Sequence, residues 1–168
     1  MLETKRLRLK RLHPNYINEL EKLFCSNKLV MQTVLKGRTF TQKEFKELLK
    51  TDFIDADNRN IGFWCLTTKN DDKVIGISGL LKCNYLEKDS YEFGFILNEN
   101  YWGKGLATEI GNFWFEYAKN EMNLTELIAT VSPENIASKK VLEKLNMKYV
   151  TKFTSIERGD RLVLKKDF

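Results

Sequence analysis

The sequence predicts a mixed α/β domain built on one sheet, and three observations lead to that fold class. The middle of the chain contains strand-like runs joined by short polar turns, which is typical of antiparallel hairpins. The last third alternates strand, helix, strand, helix and strand, which is typical of α/β layers. The length of 168 residues, with 42% hydrophobic and 30% charged residues, suits one folded domain rather than two. We therefore expect residues 1–168 to form a single domain.

The first elements are a basic strand and two helical segments. Thr4–Leu12 is predicted as a strand because leucines alternate with basic residues along it. Pro14 then introduces a helix in which apolar residues recur at helical spacing from Ile17 to Phe24. A second helical region follows at about Lys28–Lys36.

The next helix has a clear start signal. Thr41 can cap it and Glu44 can reach back to the cap, which completes a capping box. Phe40 before the cap and Phe45 after it are placed for a hydrophobic staple.

From Ile61 onward, the pattern of apolar residues changes from that of helices to that of strands. Polar connections at Asn70–Asp72 and Asn84–Asp89 separate three runs and predict short turns between antiparallel strands. The predicted strands are Ile61–Thr68, Lys73–Lys82 and Ser90–Leu97.

The last third continues with helices and strands in alternation. Ser132 and Pro133 are placed as the cap and first residue of the final helix, and Gly159-Asp160 as the final turn. The predicted elements are the helix Leu106–Met122, the strand Glu126–Ser132, the helix Pro133–Leu145, and the strands Met147–Thr154 and Arg161–Lys165.

The net charge of +5 is spread along the chain. Its densest run, Lys5–Arg11, is interleaved with leucines, which favours a half-buried strand over a nucleic-acid tether. The charge indicates at most an anionic ligand, and we expect no nucleic-acid partner. RNA binding through this strand is the alternative, and it predicts steep salt dependence.

Cysteine usage excludes several classes of protein. Cys25, Cys65 and Cys83 lie far apart without a Cys-x-x-Cys pair, and His13 is the only histidine. A disulfide scaffold or structural zinc site is therefore excluded, and we expect no metal. Met1–Leu12 is charged throughout, so no signal peptide is predicted, and no apolar run approaches the roughly 20 residues of a membrane span. We expect a cytoplasmic protein with no membrane segment.

The most informative stretch is Asn100–Glu109, which follows a predicted strand and opens a helix. Gly103 and Gly105 let the backbone approach a ligand, and the first helix amides lack intrahelical acceptors. Such a junction can bind a phosphate or pyrophosphate, and Lys104 adds a cation. The loop has neither the P-loop ending nor a Gly-x-Gly-x-x-Gly pattern. From the residues alone, a glycine loop that merely makes a tight turn is an equal alternative.

Two motifs resemble those of the GNAT superfamily of N-acetyltransferases. Trp102–Ala107 is similar to motif A, Q/R-x-x-G-x-G/A, with Trp102 in place of Gln or Arg. Ser132–Leu145 resembles motif B, with its Asn-x-x-Ser followed by Val-Leu-Glu-Lys-Leu. The opening Glu3–Leu12 is similar to the first strand of the branch that resembles ribosomal-protein N-acetyltransferases. The motifs occur in the family's order, and the resemblance covers nearly the whole chain.

The resemblance implies a splayed mixed sheet of six to seven strands flanked by about four helices, with acetyl-CoA in a V-shaped opening between two parallel strands. Backbone amides of the glycine loop would hold the pyrophosphate, and Leu97 would pair with the pantetheine arm like an extra strand. Asn135 would bond the same arm, and Lys140 the phosphates. A helix-start polar residue and a solvated helix face are the alternatives for Asn135 and Lys140. The implied cofactor-binding residues are Leu97, Trp102, Gly103, Lys104, Gly105, Leu106, Ala107, Thr108, Asn135 and Lys140.

The resemblance and the residues also suggest catalytic groups. Glu92 interrupts an otherwise apolar strand that leads to the glycine loop, and it is the candidate general base. A backbone amide near Ile96–Leu97 would hold the thioester oxygen. Many family members place a tyrosine acid where this chain has Leu142, so Ser138 is the substitute, with Tyr149 and Tyr101 as less favoured stand-ins. Alternatives are a structural salt bridge for Glu92 and a bond to its own helix backbone for Ser138.

The predicted function is direct transfer of acetyl from acetyl-CoA to a primary amine, with a protein N-terminal α-amine favoured as acceptor. One alternative is a small-molecule amine such as a polyamine or aminoglycoside, for which Asp52, Asp55 and Asp57 form the only local acidic cluster. The other is a non-catalytic acyl-CoA sensor. Monomer and homodimer both remain open.

Overall fold

The computed structural model describes residues 2–168 and consists of one eight-stranded sheet with helices on both faces. The strands are β1 Leu2–Glu3, β2 Leu7–Lys10, β3 Gly62–Thr68, β4 Val74–Cys83, β5 Ser90–Leu97, β6 Glu126–Val131, β7 Lys148–Ser155 and β8 Gly159–Asp167. The helices are α1 Ile17–Glu21, which continues as a π-helical turn over Lys22–Ser26, α2 Lys28–Met31, α3 Gln42–Thr51, α4 Leu106–Asn120 and α5 Ile136–Lys144.

The sheet splits in the middle, at the junction of β5 and β6. The strand order is β1-β2-β3-β4-β5-β6-β8-β7, and every neighbouring pair is antiparallel except β5 and β6. These two parallel strands pair only at Glu92 with Ile128. Their carboxyl ends therefore diverge and leave an opening, which confirms the splayed mixed sheet.

Two hydrophobic clusters cover the two faces of the sheet. One packs α4 and α5 against the sheet around Trp114, Phe115 and Leu142. The other packs the helices of the first third around Phe24 and Phe45. Because side chains alternate along β5, Phe93 and Leu97 join the first cluster while Ile96 joins the second.

The start of α3 follows the sequence prediction. Thr41 and Glu44 exchange both hydrogen bonds of a capping box. Phe40 and Phe45 are both buried, and each ring lies within 6 Å of the Phe24 ring, at 5.6 and 5.8 Å. Packing of the two rings on a shared partner fixes where the chain enters the helix.

Several predicted boundaries differ in the structure, and the helical region predicted at about Lys28–Lys36 ends at Met31. Thr4–Leu12 is not one strand, because the chain turns back and pairs Leu2 with Leu9, which brings the strand count to eight. The last helix begins at Ile136 with Asn135 as its cap, so Ser132 and Pro133 lie outside it. The last hairpin turns at 156–158 rather than at Gly159-Asp160, both of which belong to β8.

Within residues 2–168, no helix has the length and apolar character needed to cross a membrane. The same residues contain no group of three or more His, Cys, Asp and Glu side chains placed to hold a metal ion.

Candidate active site

A cavity of about 490 Å³ lies at the carboxyl end of β5, between the glycine loop and the first turn of α5, and we call it the loop-side cavity. All the predicted cofactor-binding residues line it except Lys104 and Leu106. The Lys104 ammonium lies 5.3 Å from the centre of the Tyr101 ring, and Leu106 is buried in the core beneath the loop. The residues that two separate motifs singled out thus meet around one space.

The glycine loop ends in a left-handed turn that starts α4. Gly105 is the N-cap residue of this helix, with φ +74°, and Gly103 has φ +69°. L side chains rarely adopt these angles, and a Cβ at Gly103 would meet nothing within 4 Å. The helix that follows has 15 residues, and its first amides have no acceptor within the helix. This end of the cavity is therefore suited to an anion.

A salt bridge neutralises Glu109, the carboxylate in the first turn of α4. Glu109 lies in the first turn of α4, where its charge would repel a phosphate. Arg6 Nε donates to Glu109 at 2.6 Å, and Thr4 Oγ1 donates to it at 2.5 Å. Partial burial works against the ionised form, but these hydrogen bonds and the Arg6 charge lower the pKa of Glu109 below its ordinary value. Arg6 also donates to the carbonyl of Lys104 at 2.8 Å, so it ties the first hairpin to the loop.

The end of β5 presents backbone groups to the opening. The Asn98 amide donates to the Ile75 carbonyl, at the β4 side of the strand. Because donors alternate between the two sides of a strand, the Leu97 amide points away from β4 into the opening. Its carbonyl accepts a hydrogen bond from Trp102 Nε1 at 2.8 Å. Trp102, the residue that departs from the family motif, thus covers the end of the strand.

The first turn of α5 forms the opposite wall. Asn135 Oδ1 accepts from the Ser138 amide at 3.1 Å, and Asn135 Nδ2 donates to the Thr33 carbonyl at 3.4 Å. Ser138 lines the loop-side cavity and also a second cavity beside it. Leu142 is buried in the core, so it adds no polar group. Of the stand-ins, Tyr101 lines the loop-side cavity, whereas Tyr149 is 59% exposed on β7.

The second cavity, of about 400 Å³, contains Glu92, and we call it the Glu92 cavity. The Glu92 side chain is buried and accepts hydrogen bonds from Tyr85 Oη at 2.9 Å and Thr130 Oγ1 at 2.6 Å. Burial and the Glu92 charge raise the pKa of Tyr85 to about 12, so this hydroxyl stays a donor. Within residues 2–168, no basic nitrogen lies within 4.0 Å of Glu92, so it forms no direct salt bridge.

Several residues of the Glu92 cavity have no sequence motif. Arg158 belongs to the β7–β8 turn and Arg161 to β8, and both line the cavity together with Tyr85 and Thr130. They come from distant parts of the chain, and only the pairing of β6 with β8 brings the arginines beside Thr130. Sequence reasoning missed them because nothing local marks them.

The acidic cluster considered for a polyamine does not converge on the cavity. Asp55 pairs with Arg11 at 3.0 Å and accepts backbone bonds within its own loop. Asp57 pairs with Lys82 at 2.8 Å. Only Asp52 lines the Glu92 cavity.

A third cavity of about 710 Å³ runs along α3, and we call it the α3 groove. It shares Leu35, Thr51, Asp52 and Arg158 with the Glu92 cavity. The Glu92 cavity therefore continues into a groove on the surface of the molecule.

Comparisons with known proteins agree with this geometry. The family model described as acetyltransferase (GNAT) domain matches residues 6–148. The chain is 33% identical over 125 residues to the uncharacterized N-acetyltransferase YnaD of Bacillus subtilis (strain 168), an alignment that covers 74% of this chain and 69% of that protein.

Two solved structures show the same fold at low identity. The ribosomal-protein-S5-alanine acetyltransferase of Vibrio fischeri aligns with a TM-score of 0.75 and 19% identity, covering 99% of this chain and 95% of that one. The spermidine N-acetyltransferase of Vibrio cholerae, in complex with CoA and spermine, aligns with a TM-score of 0.74 and 20% identity, covering 96% and 95%.

Proposed function

This chain belongs to the acetyltransferase (GNAT) family and uses acetyl-CoA to acetylate amines, and from that premise we propose that its acceptor is the α-amine at the N-terminus of a protein or peptide. The observation that carries the proposal is the path from the loop-side cavity, past Ser138 and Glu92, into the α3 groove. Along this path, acetyl-CoA would occupy the loop-side cavity, the reacting amine the Glu92 cavity, and the peptide chain behind that amine the α3 groove.

The loop-side cavity is the proposed binding site of the donor. The amides from Gly103 to Thr108 would hold the pyrophosphate at the start of α4, where Arg6 offsets the charge of Glu109. Asn135 keeps unused hydrogen-bonding capacity beside its capping bond, which the pantetheine arm would use. Lys140 lies exposed at the rim of the same cavity, within reach of solvated phosphates.

Amide formation needs a neutral amine, a stabilised oxyanion and a protonated leaving thiol, and acetyl-CoA supplies the thioester. Glu92 would accept the proton of the amine, directly or through one water. The Leu97 amide would donate to the developing oxyanion, and the Ser138 hydroxyl would donate to the departing sulfur.

Transfer would be direct, without an acetyl-cysteine intermediate. Burial raises the pKa of Cys65 and Cys83 to about 12, with the Glu92 charge adding to the effect at Cys83. Neither thiol is therefore activated as a nucleophile.

The Glu92 cavity and the α3 groove favour a peptide over a polyamine. A polyamine carries several positive charges and needs several carboxylates around it. Here Asp55 and Asp57 are tied to other partners, and two arginines line the Glu92 cavity. The glutamates that line the α3 groove, Glu44, Glu47 and Glu157, each form a salt bridge with a lysine or arginine. The α3 groove gives the chain behind an N-terminal amine a way out along the surface.

An acceptor screen tests this proposal. Purified protein would be incubated with acetyl-CoA and peptides with free N-termini, the same peptides with blocked N-termini, spermidine, and an aminoglycoside, with release of free thiol as the readout. We expect turnover of free N-termini with a kcat/KM at least about 10-fold above that of spermidine, and none for blocked peptides without lysine. Preference for spermidine or the aminoglycoside would overturn the proposed acceptor, and binding of acetyl-CoA without transfer to any amine would favour a sensor.

A further inference from the structure

Arg158 and Arg161 bring two positive charges to the wall of the Glu92 cavity without an acidic partner of their own. Arg158 donates to Tyr85 Oη at 3.2 Å and to Thr130 Oγ1 at 3.3 Å. Arg161 donates to the carbonyl and hydroxyl oxygens of Thr130 at 3.1 and 3.3 Å. Within residues 2–168, neither guanidinium has a carboxylate oxygen within 4.0 Å.

The two guanidiniums are incompletely paired. Arg161 is only 5% exposed, and the Nε–H groups of both arginines are buried without an acceptor in the described chain. Burial and, second, the charge of Arg158 lower the pKa of Arg161 to about 10, which reflects the cost of holding two cations together away from water. Glu92 supplies one negative charge through the shared hydroxyls.

Lys82 and Asp52 also line the cavity, and Asp52 forms no salt bridge with either arginine. Lys82 is occupied by Asp57. Asp52 lies at the end of α3, where the cavity opens into the α3 groove, and its carboxylate accepts from the Thr51 hydroxyl. A ligand carboxylate at the two guanidiniums would supply the acidic partner that both lack.

We propose that the acceptor carries a carboxylate close to its reacting amine, and that Arg158 and Arg161 bind that carboxylate. The inference rests on the proposed function, in which the carboxylate is the side chain of an N-terminal Asp or Glu. Each guanidinium is one hydroxyl, that of Thr130, away from Glu92. The amine at Glu92 and the carboxylate at the arginines would therefore occupy adjoining parts of one cavity.

The test uses peptide pairs that differ only in charge at the first residue. Peptides beginning with Glu or Asp would be compared with the same peptides beginning with Gln or Asn, by kcat/KM for thiol release. A hydrogen-bonded ion pair removed from a site of this kind corresponds to about a 10- to 100-fold change, and we expect that preference for the acidic peptides. Equal rates within each pair, or a preference for the amide peptides, would overturn the inference.

Variants of Arg158 test whether this residue causes the preference for acidic peptides. Arg158→Gln should reduce the Glu-over-Gln preference to less than about 3-fold while leaving the KM for acetyl-CoA unchanged, and Arg158→Glu should reverse it. Lys152→Gln removes the same charge from an exposed position on β7 and should retain the preference. A preference that persists in Arg158→Gln and Arg158→Glu would assign it elsewhere and contradict the inference. A thermal melt of each variant separates loss of the site from loss of the fold.

Free glutamate and aspartate complete the panel, together with putrescine and 4-aminobutyrate, a pair of similar length that carry an ammonium and a carboxylate, respectively, at the end away from the reacting amine. Acetylation of free acidic amino acids or of 4-aminobutyrate, without any turnover of peptides, would support the carboxylate site and reject the peptide acceptor. Turnover of neutral N-termini as fast as acidic ones would reject the carboxylate site and leave the peptide acceptor standing. The two proposals therefore fail separately.

Discussion

Glu92, Asn135 and Gly105 show what single residues contribute to this site. Glu92, the carboxylate in an apolar strand, is buried in a cavity with hydroxyl partners, and its role as the general base stays a prediction. The alternative predicted for Asn135 is also present, since its side chain caps α5 and lines the cavity at once. The sequence singles out residues of this kind because their residue type and their position within one strand or helix are enough to suggest a role.

Contacts between residues that are distant in the chain could not be predicted from the sequence. Arg158 reaches Thr130 only because β8 lies between β6 and β7. Arg6 belongs to the basic run of the first predicted strand, and in the structure it binds Glu109 and the Lys104 carbonyl across the fold. In both cases the partner is more than 25 positions away, so no local pattern marks the contact.

Gly105→Ala tests the left-handed turn at the start of α4. Its φ of +74° should make alanine cost about 1 kcal/mol of folding free energy, and the loop should distort. We expect the KM for acetyl-CoA to rise several-fold, measured by steady-state kinetics together with urea unfolding. Gly37→Ala, at φ +69° in another loop, should cost similar stability with an unchanged KM. An unchanged KM in Gly105→Ala would show that the loop conformation does not position the donor.

At the scale of elements, the predicted start of α3 was confirmed, whereas the predicted start of α5 and the predicted first strand were wrong. The capping box and flanking phenylalanines of α3 were predicted because each partner lies within five positions. The start of α5 was wrong because Ser132 and Asn135 are both good caps, and only the packed structure selects Asn135. The split of the first strand depends on Leu2 pairing with Leu9, a register that alternation alone does not specify.

The capping box of α3 predicts a pH dependence of stability. Hydrogen bonds from Arg38 and from the Thr41 amide hold the pKa of Glu44 far below its ordinary value of 4.5. A group with a lowered folded pKa stabilises the fold above its unfolded pKa and loses that contribution as the pH falls through the folded value. Wild type should therefore lose stability below about pH 4.5, and Glu44→Gln should be less stable at pH 7 with a shallower dependence in acid.

Urea unfolding between pH 2.5 and pH 7 measures this difference. Glu47→Gln removes the same charge from the same helix without touching the cap, and it should keep the wild-type pH dependence. If Glu44→Gln and wild type lost stability in parallel below pH 4.5, the capping box would not be the source of the pH dependence of stability.

At the scale of the molecule, the splayed sheet links fold to function. A continuous β5–β6 ladder would close the opening in which we propose that the substrates meet, and the single pairing at Glu92 leaves it open. Composition alone gave only a net charge of +5 and a weak indication of an anionic ligand. In the structure the glycine loop and the start of α4 line the loop-side cavity, while two arginines without a carboxylate in contact line the Glu92 cavity, which the sequence did not reveal.

The central claim is that Glu92 accepts the proton of an acceptor amine that enters the Glu92 cavity, and the pH–rate profile of Glu92→Gln tests it most directly. We expect kcat/KM for the acceptor peptide at pH 7 to fall by at least about 100-fold, with an unchanged KM for acetyl-CoA. The deficit should shrink above about pH 8, where an α-amine loses its proton without help. Glu126→Gln, on the neighbouring strand and paired with Lys88, is the matched control and should retain activity. Full turnover by Glu92→Gln at pH 7, with the fold intact, would contradict this account.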